Sequence, residues 1–205
     1  MSGNLVKLGV LISGSGSNLQ AIIDRCEAGE FAAEVAVVIS NRVDAYGLVR
    51  AEKHGIARVV VERKEFPDEA AYNSALRDEL TAHNVELVVM AGYMRLLGKE
   101  VLDAYPNHVI NLHPALLPSF PGAHGIKDAL DYGVKVTGVT VHFANEVFDE
   151  GPIILQEAVA VREDDTEETL AERIHAIEHR ILPEAIKLYC EGRLEVVGRK
   201  VRIKE

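Results

Sequence analysis

The chain has 205 residues, enough for one α/β domain with a full core and too few for two generous ones, so a single domain over 1–205 is expected. Hydrophobic residues at 48% and charged residues at 26% are ordinary for a soluble globular protein. The formal net charge of −10 argues against a nucleic-acid partner, whose phosphates are normally met by a basic face; a small anionic ligand would instead need local backbone N–H groups and one or two cations.

The N-terminal Met1-Ser2-Gly3-Asn4 has no basic stretch before a long apolar segment, and no apolar run reaches about 18 residues, so a cytoplasmic protein without a membrane partner is expected. Cys26 and Cys190 lack CxxC spacing and read as reduced, non-catalytic thiols. Apolar, β-rich runs at 5–13, 35–40, 58–61, 87–91 and 109–112 read as strands. Helical patterns at 18–28, 47–54 and 68–83 lie between them. That alternation predicts an open, mainly parallel Rossmann-like sheet flanked by helices. The unbroken apolar character of Leu8-Gly9-Val10-Leu11-Ile12 and Leu87-Val88-Val89-Met90 fits strands buried on both faces.

The first strand runs into Ser13-Gly14-Ser15-Gly16-Ser17-Asn18 and then a helix. Glycines let backbone amides approach a ligand, and a helix N-terminus adds roughly half a positive charge, so this turn suits a phosphate; Ser17 or Asn18 as a plain helix cap is the other reading. The third glycine of a dinucleotide fingerprint is missing and no acid closes the second strand, where Ser40-Asn41-Arg42 stands. An NAD site is disfavoured, and Arg42 keeps an NADP alternative open.

After the fourth strand comes Gly92-Tyr93-Met94-Arg95-Leu96-Leu97, at the end of the sheet where open α/β folds bind ligands. Arg95 among apolar residues suits a flat apolar ligand with a carboxylate, and equally a surface cation. The fifth strand ends in Asn111-Leu112-His113-Pro114. Strand alternation points Asn111 and His113 to the same face, an amide donor beside a titratable ring, as acyl transfer requires; a turn with a satisfied loop histidine is the bland alternative.

Beyond the Pro/Gly-rich stretch 118–122, longer strands at 134–143 and 153–161 predict an added hairpin. Its turn, Asp149-Glu150-Gly151-Pro152, would set Asp149 against His113, orienting the imidazole and raising its pKa if the hairpin packs beside the fifth strand. A long final helix is expected from Asp165 as cap with Glu168 at its third position, with Leu170, Ile174, Ile177 and Ile181 at core spacing and a bend at Pro183. Within it, His175-Ala176-Ile177-Glu178-His179 matches an H-x-x-E-H zinc pattern, but a third ligand is not at hand and no metal is expected.

Taken in order, Gly14-Ser15-Gly16-Ser17-Asn18-Leu19, Gly92-Tyr93-Met94-Arg95, Asn111-Leu112-His113-Pro114, Val141-His142-Phe143 and Asp149-Glu150-Gly151-Pro152 resemble the folate-dependent phosphoribosylglycinamide formyltransferases over nearly the whole chain. The resemblance implies formyl transfer from the co-substrate 10-formyltetrahydrofolate to the amine of 5-phosphoribosylglycinamide, in purine biosynthesis, with small molecules as the only substrates. It implies Asn111, His113 and Asp149 as the catalytic trio. Gly16, Ser17 and Asn18 would hold the substrate phosphate, and Glu178 the ribose hydroxyls. Met94, Arg95, Leu96, Leu97 and Asn111, with Asn145 and Asp149 of the loop 145–149, would form the folate site. One departure stands out: where some members carry a basic folate contact before the third helix, this chain has Glu69, with Arg63 and Lys64 slightly earlier. Related deformylases and methionyl-tRNA formyltransferases would add a regulatory or tRNA-binding domain that 205 residues do not accommodate. A monomer or homodimer is expected.

Overall fold

The computed structural model describes residues 5–205; Met1-Ser2-Gly3-Asn4, on which the expectation of no targeting segment rests, lies outside the described residues. The chain forms two compact units, the first ending at Ile110 and the second spanning Asn111–Glu205.

The first unit is built from β1 (Val6–Ile12), α1 (Ser17–Glu27), β2 (Ala33–Ser40), α2 (Tyr46–Lys53), β3 (Ala57–Val60), α3 (Glu69–Ala82), β4 (Leu87–Met90) and the short α4 (Lys99–Leu102). Strands run in the order β3-β2-β1-β4, all parallel. Parallel neighbours need crossover connections, and the helices predicted between the strands supply them. Leu8, Val10, Leu11 and Ile12 of β1 and all of β4 are buried, as a sheet covered on both faces requires. Gly9 interrupts that run because a Cβ there would come within 2.5 Å of Leu80 Cδ2 and 2.9 Å of Val85 Cγ2. α3 begins where the pattern placed it, with the Asp68 side chain accepting from Ala71 N–H at 2.8 Å.

β5 (Val109–His113) crosses the boundary between the units. In the second unit, α5 (Gly125–Tyr132) precedes β6 (Val136–Phe143) and β7 (Ile153–Ala160), which pair antiparallel as the predicted hairpin. The loop leaving β5 is pinned to this hairpin: Thr140 Oγ1 donates to Ala115 O and accepts from Leu117 N–H, and Gln156 Nε2 donates to Leu117 O at 2.9 Å. α6 (Glu167–Cys190) buries Leu170, Ile174 and Ile181, leaves Ile177 half-buried, and continues through Pro183.

Its cap differs from expectation. Thr166, not Asp165, is the N-cap, and Thr169, not Glu168, reciprocates: Thr169 N–H donates to Thr166 Oγ1 at 3.2 Å and Thr166 N–H to Thr169 Oγ1 at 3.0 Å. Asp165 is drawn away by Arg173, whose Nη1 lies 2.9 Å from its Oδ1, and by Arg162 N–H at 2.7 Å. No element is expected after α6, yet β8 (Leu194–Val197) and β9 (Lys200–Ile203) form a second antiparallel hairpin, giving the order β6-β7-β9-β8.

Candidate active site

Asn111 and His113 occupy alternate positions of β5, and the strand turns both side chains toward Asp149. Asn111 Nδ2 donates to Asp149 Oδ1 at 3.3 Å, and His113 Nδ1 lies 3.4 Å from Asp149 Oδ2. The carboxylate is buried, and Gly122 N–H also donates to its Oδ2 at 2.8 Å. Asp149 itself has φ +55°, a conformation that aspartate tolerates better than most residues and that is common where function needs a side chain re-aimed. Two residues on, a Cβ at Gly151 would lie 1.6 Å from Phe143 O, so only glycine lets the hairpin turn close this tightly against β6.

A second histidine completes the cluster. His142 is buried on β6, its Nδ1 is 2.9 Å from Phe143 O and its Nε2 is 3.1 Å from Asn111 Nδ2. A carbonyl can only accept, so Nδ1 carries the proton and Nε2 accepts from the Asn111 amide. His142 Nε2 is also 3.7 Å from Asp149 Oδ1. The two amide protons of Asn111 are thus aimed by His142 and Asp149. His142 lies in the Val141-His142-Phe143 motif without an expected role, and a histidine inside an apolar strand is the signal that marks it.

His113 is 3% exposed, with Nε2 2.7 Å from the Phe120 carbonyl and Gly125 packed so closely that a Cβ there would be 3.3 Å from Nε2. Both ring nitrogens therefore face oxygens. Burial nevertheless pushes the imidazole below its ordinary pKa, outweighing the upward pull of the Asp149 carboxylate, the Phe120 carbonyl and the Glu178 charge. Asp149 does pull the His113 pKa upward as expected, but burial is the larger effect and the net shift is downward. Asp149 is itself opposed by burial, but His142, Gly122 N–H and the nearby imidazoles together take its carboxyl below the usual value, so it is ionised. Glu178 is buried on α6 with Oε2 2.8 Å from His175 Nδ1, one turn earlier, so the H-x-x-E-H segment makes an internal His–Glu pair.

In the first unit the remaining candidates gather at the C-terminal ends of β1, β2 and β4. Ser13 Oγ donates to Asn41 Oδ1 at 2.7 Å and accepts from Met94 N–H at 2.8 Å, tying three strand ends together. Gly16, not Ser17 or Asn18, is the N-cap of α1, with φ +69° and no side-chain cap, and the next two residues open the helix. α2 docks on this turn through Gly47, whose N–H donates to Gly14 O at 3.1 Å, and Arg50 Nε donates to Ser15 O at 2.9 Å. Arg42 forms a two-point pair with Asp44, at 3.1 and 3.0 Å, which occupies the cation that the NADP alternative relied on.

Met94 and Leu96 are exposed apolar side chains after β4, whereas Leu97 is buried in the core. Arg95 lies over the Tyr72 ring, 5.2 Å from its centroid, and reaches Glu69 Oε1 at 2.8 Å. Tyr72 and Tyr93 share a buried hydroxyl–hydroxyl hydrogen bond beneath it. Asn145, in the second unit, is exposed and uses Oδ1 to accept from Val147 N–H at 3.1 Å, a turn role within the loop before Asp149.

Among the described residues no helix is long and apolar enough to cross a membrane. A profile of the formyl transferase family matches residues 6–186. The phosphoribosylglycinamide formyltransferase of Bacillus subtilis is 42% identical over 181 residues, covering 88% of this chain and 93% of that protein. The trifunctional purine biosynthetic protein adenosine-3 of Gallus gallus is 43% identical over 193 residues; they cover 94% of this chain, which spans only 19% of that protein. The crystal structure of glycinamide ribonucleotide transformylase 1 from Symbiobacterium toebii has a TM-score of 0.97 and 53% identity, covering 100% of this chain and 96% of that one. The chain belongs to the formyl transferase family.

Proposed function

We propose that this chain transfers the formyl group of 10-formyltetrahydrofolate to the primary amine of 5-phosphoribosylglycinamide, a step of purine biosynthesis. The carrying observation is the convergence of Asn111, His113 and Asp149, an amide donor and an imidazole on one carboxylate. Family membership and the 42% identity to a phosphoribosylglycinamide formyltransferase agree with it.

Formyl transfer makes a bond from the amine to the formyl carbon, builds negative charge on the formyl oxygen, and breaks the bond to the folate nitrogen, which leaves with a proton. Asn111 exchanges its long 3.3 Å Nδ2–H bond to Asp149 for one to the developing oxyanion, a contact that strengthens as charge appears, while its other N–H stays on His142. His113, neutral because it is buried, takes up the amine proton at Nδ1, the nitrogen that Asp149 faces, and the carboxylate stabilises the imidazolium so formed. The same proton is then delivered to the departing nitrogen. His142 fixes the amide plane of Asn111 and so the direction of its donors.

Gly16, Ser17 and Asn18 would hold the substrate phosphate through first-turn amides of α1, with Glu178 receiving the ribose hydroxyls. Met94, Arg95, Leu96 and Leu97, with Asn145 in the loop before Asp149, would hold the folate, the exposed Met94 and Leu96 offering apolar contact. The enzyme is read as one functional domain over 1–205, cytoplasmic, a monomer or homodimer. The family match across residues 6–186, which spans the boundary at Ile110, supports the single-domain reading.

The test is a spectrophotometric assay with 10-formyltetrahydrofolate, run with and without 5-phosphoribosylglycinamide. Turnover that requires the glycinamide ribotide is expected. Folate release without it would replace transfer by hydrolysis, the deformylase chemistry, and no turnover in either would overturn the reading.

A further inference from the structure

Glu69, the first residue of α3, places one carboxylate oxygen between two guanidiniums: Oε1 accepts from Arg63 Nε at 2.7 Å and from Arg95 Nη2 at 2.8 Å. Neither cation is loosely held. Arg63 Nη1 also donates to Phe66 O at 2.8 Å, and the Arg95 guanidinium rests over the Tyr72 ring. Arg95 Nε is buried with no hydrogen-bond partner among the described residues. A planar guanidinium is suited to two-point recognition of a carboxylate, and here two of them are arranged around one. The carboxylate they hold belongs to the chain itself.

We infer that Glu69 is a built-in competitor for the carboxylates of the folate tail, and so a specificity-determining residue for the charge of that co-substrate. The inference rests on the assignment of Met94–Leu97 to the folate made above. A ligand carboxylate approaching Arg63 or Arg95 must displace Glu69 or bear its repulsion. The Glu69 side chain is 59% exposed, so displacement exchanges one solvated ion pair for another, and the competition tunes affinity without blocking the site. A ligand with the same ring system but no anionic tail does not meet this competition.

Glu69→Gln keeps the side-chain shape and the start of α3 while removing the charge. The measurement is equilibrium titration of wild type and variant with 10-formyl-5,8-dideazafolate and with the same compound whose glutamate is replaced by a neutral amide. The variant should bind the tail-bearing compound about 3-fold to 10-fold tighter, with less gain at high salt, and the neutral amide within about twofold of wild type. Unchanged or weaker binding of the tail-bearing compound, or an equal change for both, overturns the inference and leaves Glu69 as a prop for Arg95. If wild type binds both compounds and the variant shows no selective gain, only this inference falls. If wild type binds neither, the folate assignment falls with it.

Discussion

Asn111 and His113, two residues apart on β5, make contact with opposite oxygens of one buried carboxylate: Asn111 Nδ2 is 3.3 Å from Asp149 Oδ1 and His113 Nδ1 is 3.4 Å from Oδ2. The carboxylate thereby fixes the spacing between a hydrogen-bond donor and a proton acceptor, which is the geometry that an acyl-transfer oxyanion needs.

If the Asn111 amide serves the oxyanion, its removal is felt in the transition state more than in substrate binding. Asn111→Ala should lower kcat by roughly 100-fold to 1000-fold, about 3 to 4 kcal/mol of barrier. Circular dichroism and the denaturation midpoint check that the fold survives. A kcat within a few-fold of wild type would remove Asn111 from the chemistry.

The pH dependence follows from the signs of the His113 shift. Burial lowers its pKa below 6.5 and the Asp149 charge raises it, with burial winning. The neutral imidazole is the competent acceptor, so kcat/KM should rise with pH through an inflection on the acid side of 6.5. In Asp149→Asn the raising contribution is lost while burial remains, so the inflection should move to still lower pH as the rate falls. A movement toward higher pH, or an inflection that persists in His113→Asn, would contradict the assignment.

Much of this arrangement was legible in the chain. The period-2 spacing of Asn111 and His113 predicted a shared face, and the strand–helix alternation predicted the parallel strands, because both depend on local pattern. Three features were not legible, for physical reasons. The sign of the His113 shift is a contest between burial and charge, and burial exists only after packing. The N-cap moved from Asp165 to Thr166 because Arg173, eight residues along, holds Asp165. β8 and β9 are four residues each, and their hairpin turns at Gly198 with φ +60°. Such short strands carry too few alternations to rise above the helix before them.

The position of the α6 cap can be read from stability alone. Thr166→Ala removes the side chain that accepts from Thr169 N–H and should cost about 0.5 to 2 kcal/mol in urea unfolding. Glu168→Ala should lie within about 0.5 kcal/mol of wild type, as for an exposed residue without a special role. The reverse ordering would restore the Asp165–Glu168 cap.

Gly16 and Gly14 provide a paired test of the proposed phosphate turn. Gly16 has φ +69°, and an added Cβ would lie 2.6 Å from Gly47 Cα, a backbone atom that cannot rotate away. Gly16→Ala therefore combines left-handed strain with displacement of α2 from the turn, a stability loss of about 1 to 3 kcal/mol. Because the first-turn amides move with it, KM for 5-phosphoribosylglycinamide should rise by more than kcat falls. At Gly14 an added Cβ meets nothing within 4 Å, so Gly14→Ala should fold almost as stably as wild type. Any rise in KM for Gly14→Ala, without loss of stability, would then report ligand contact at that position. If Gly16→Ala kept both wild-type stability and wild-type KM, α1 would begin at an ordinary turn and the phosphate would have to be held elsewhere.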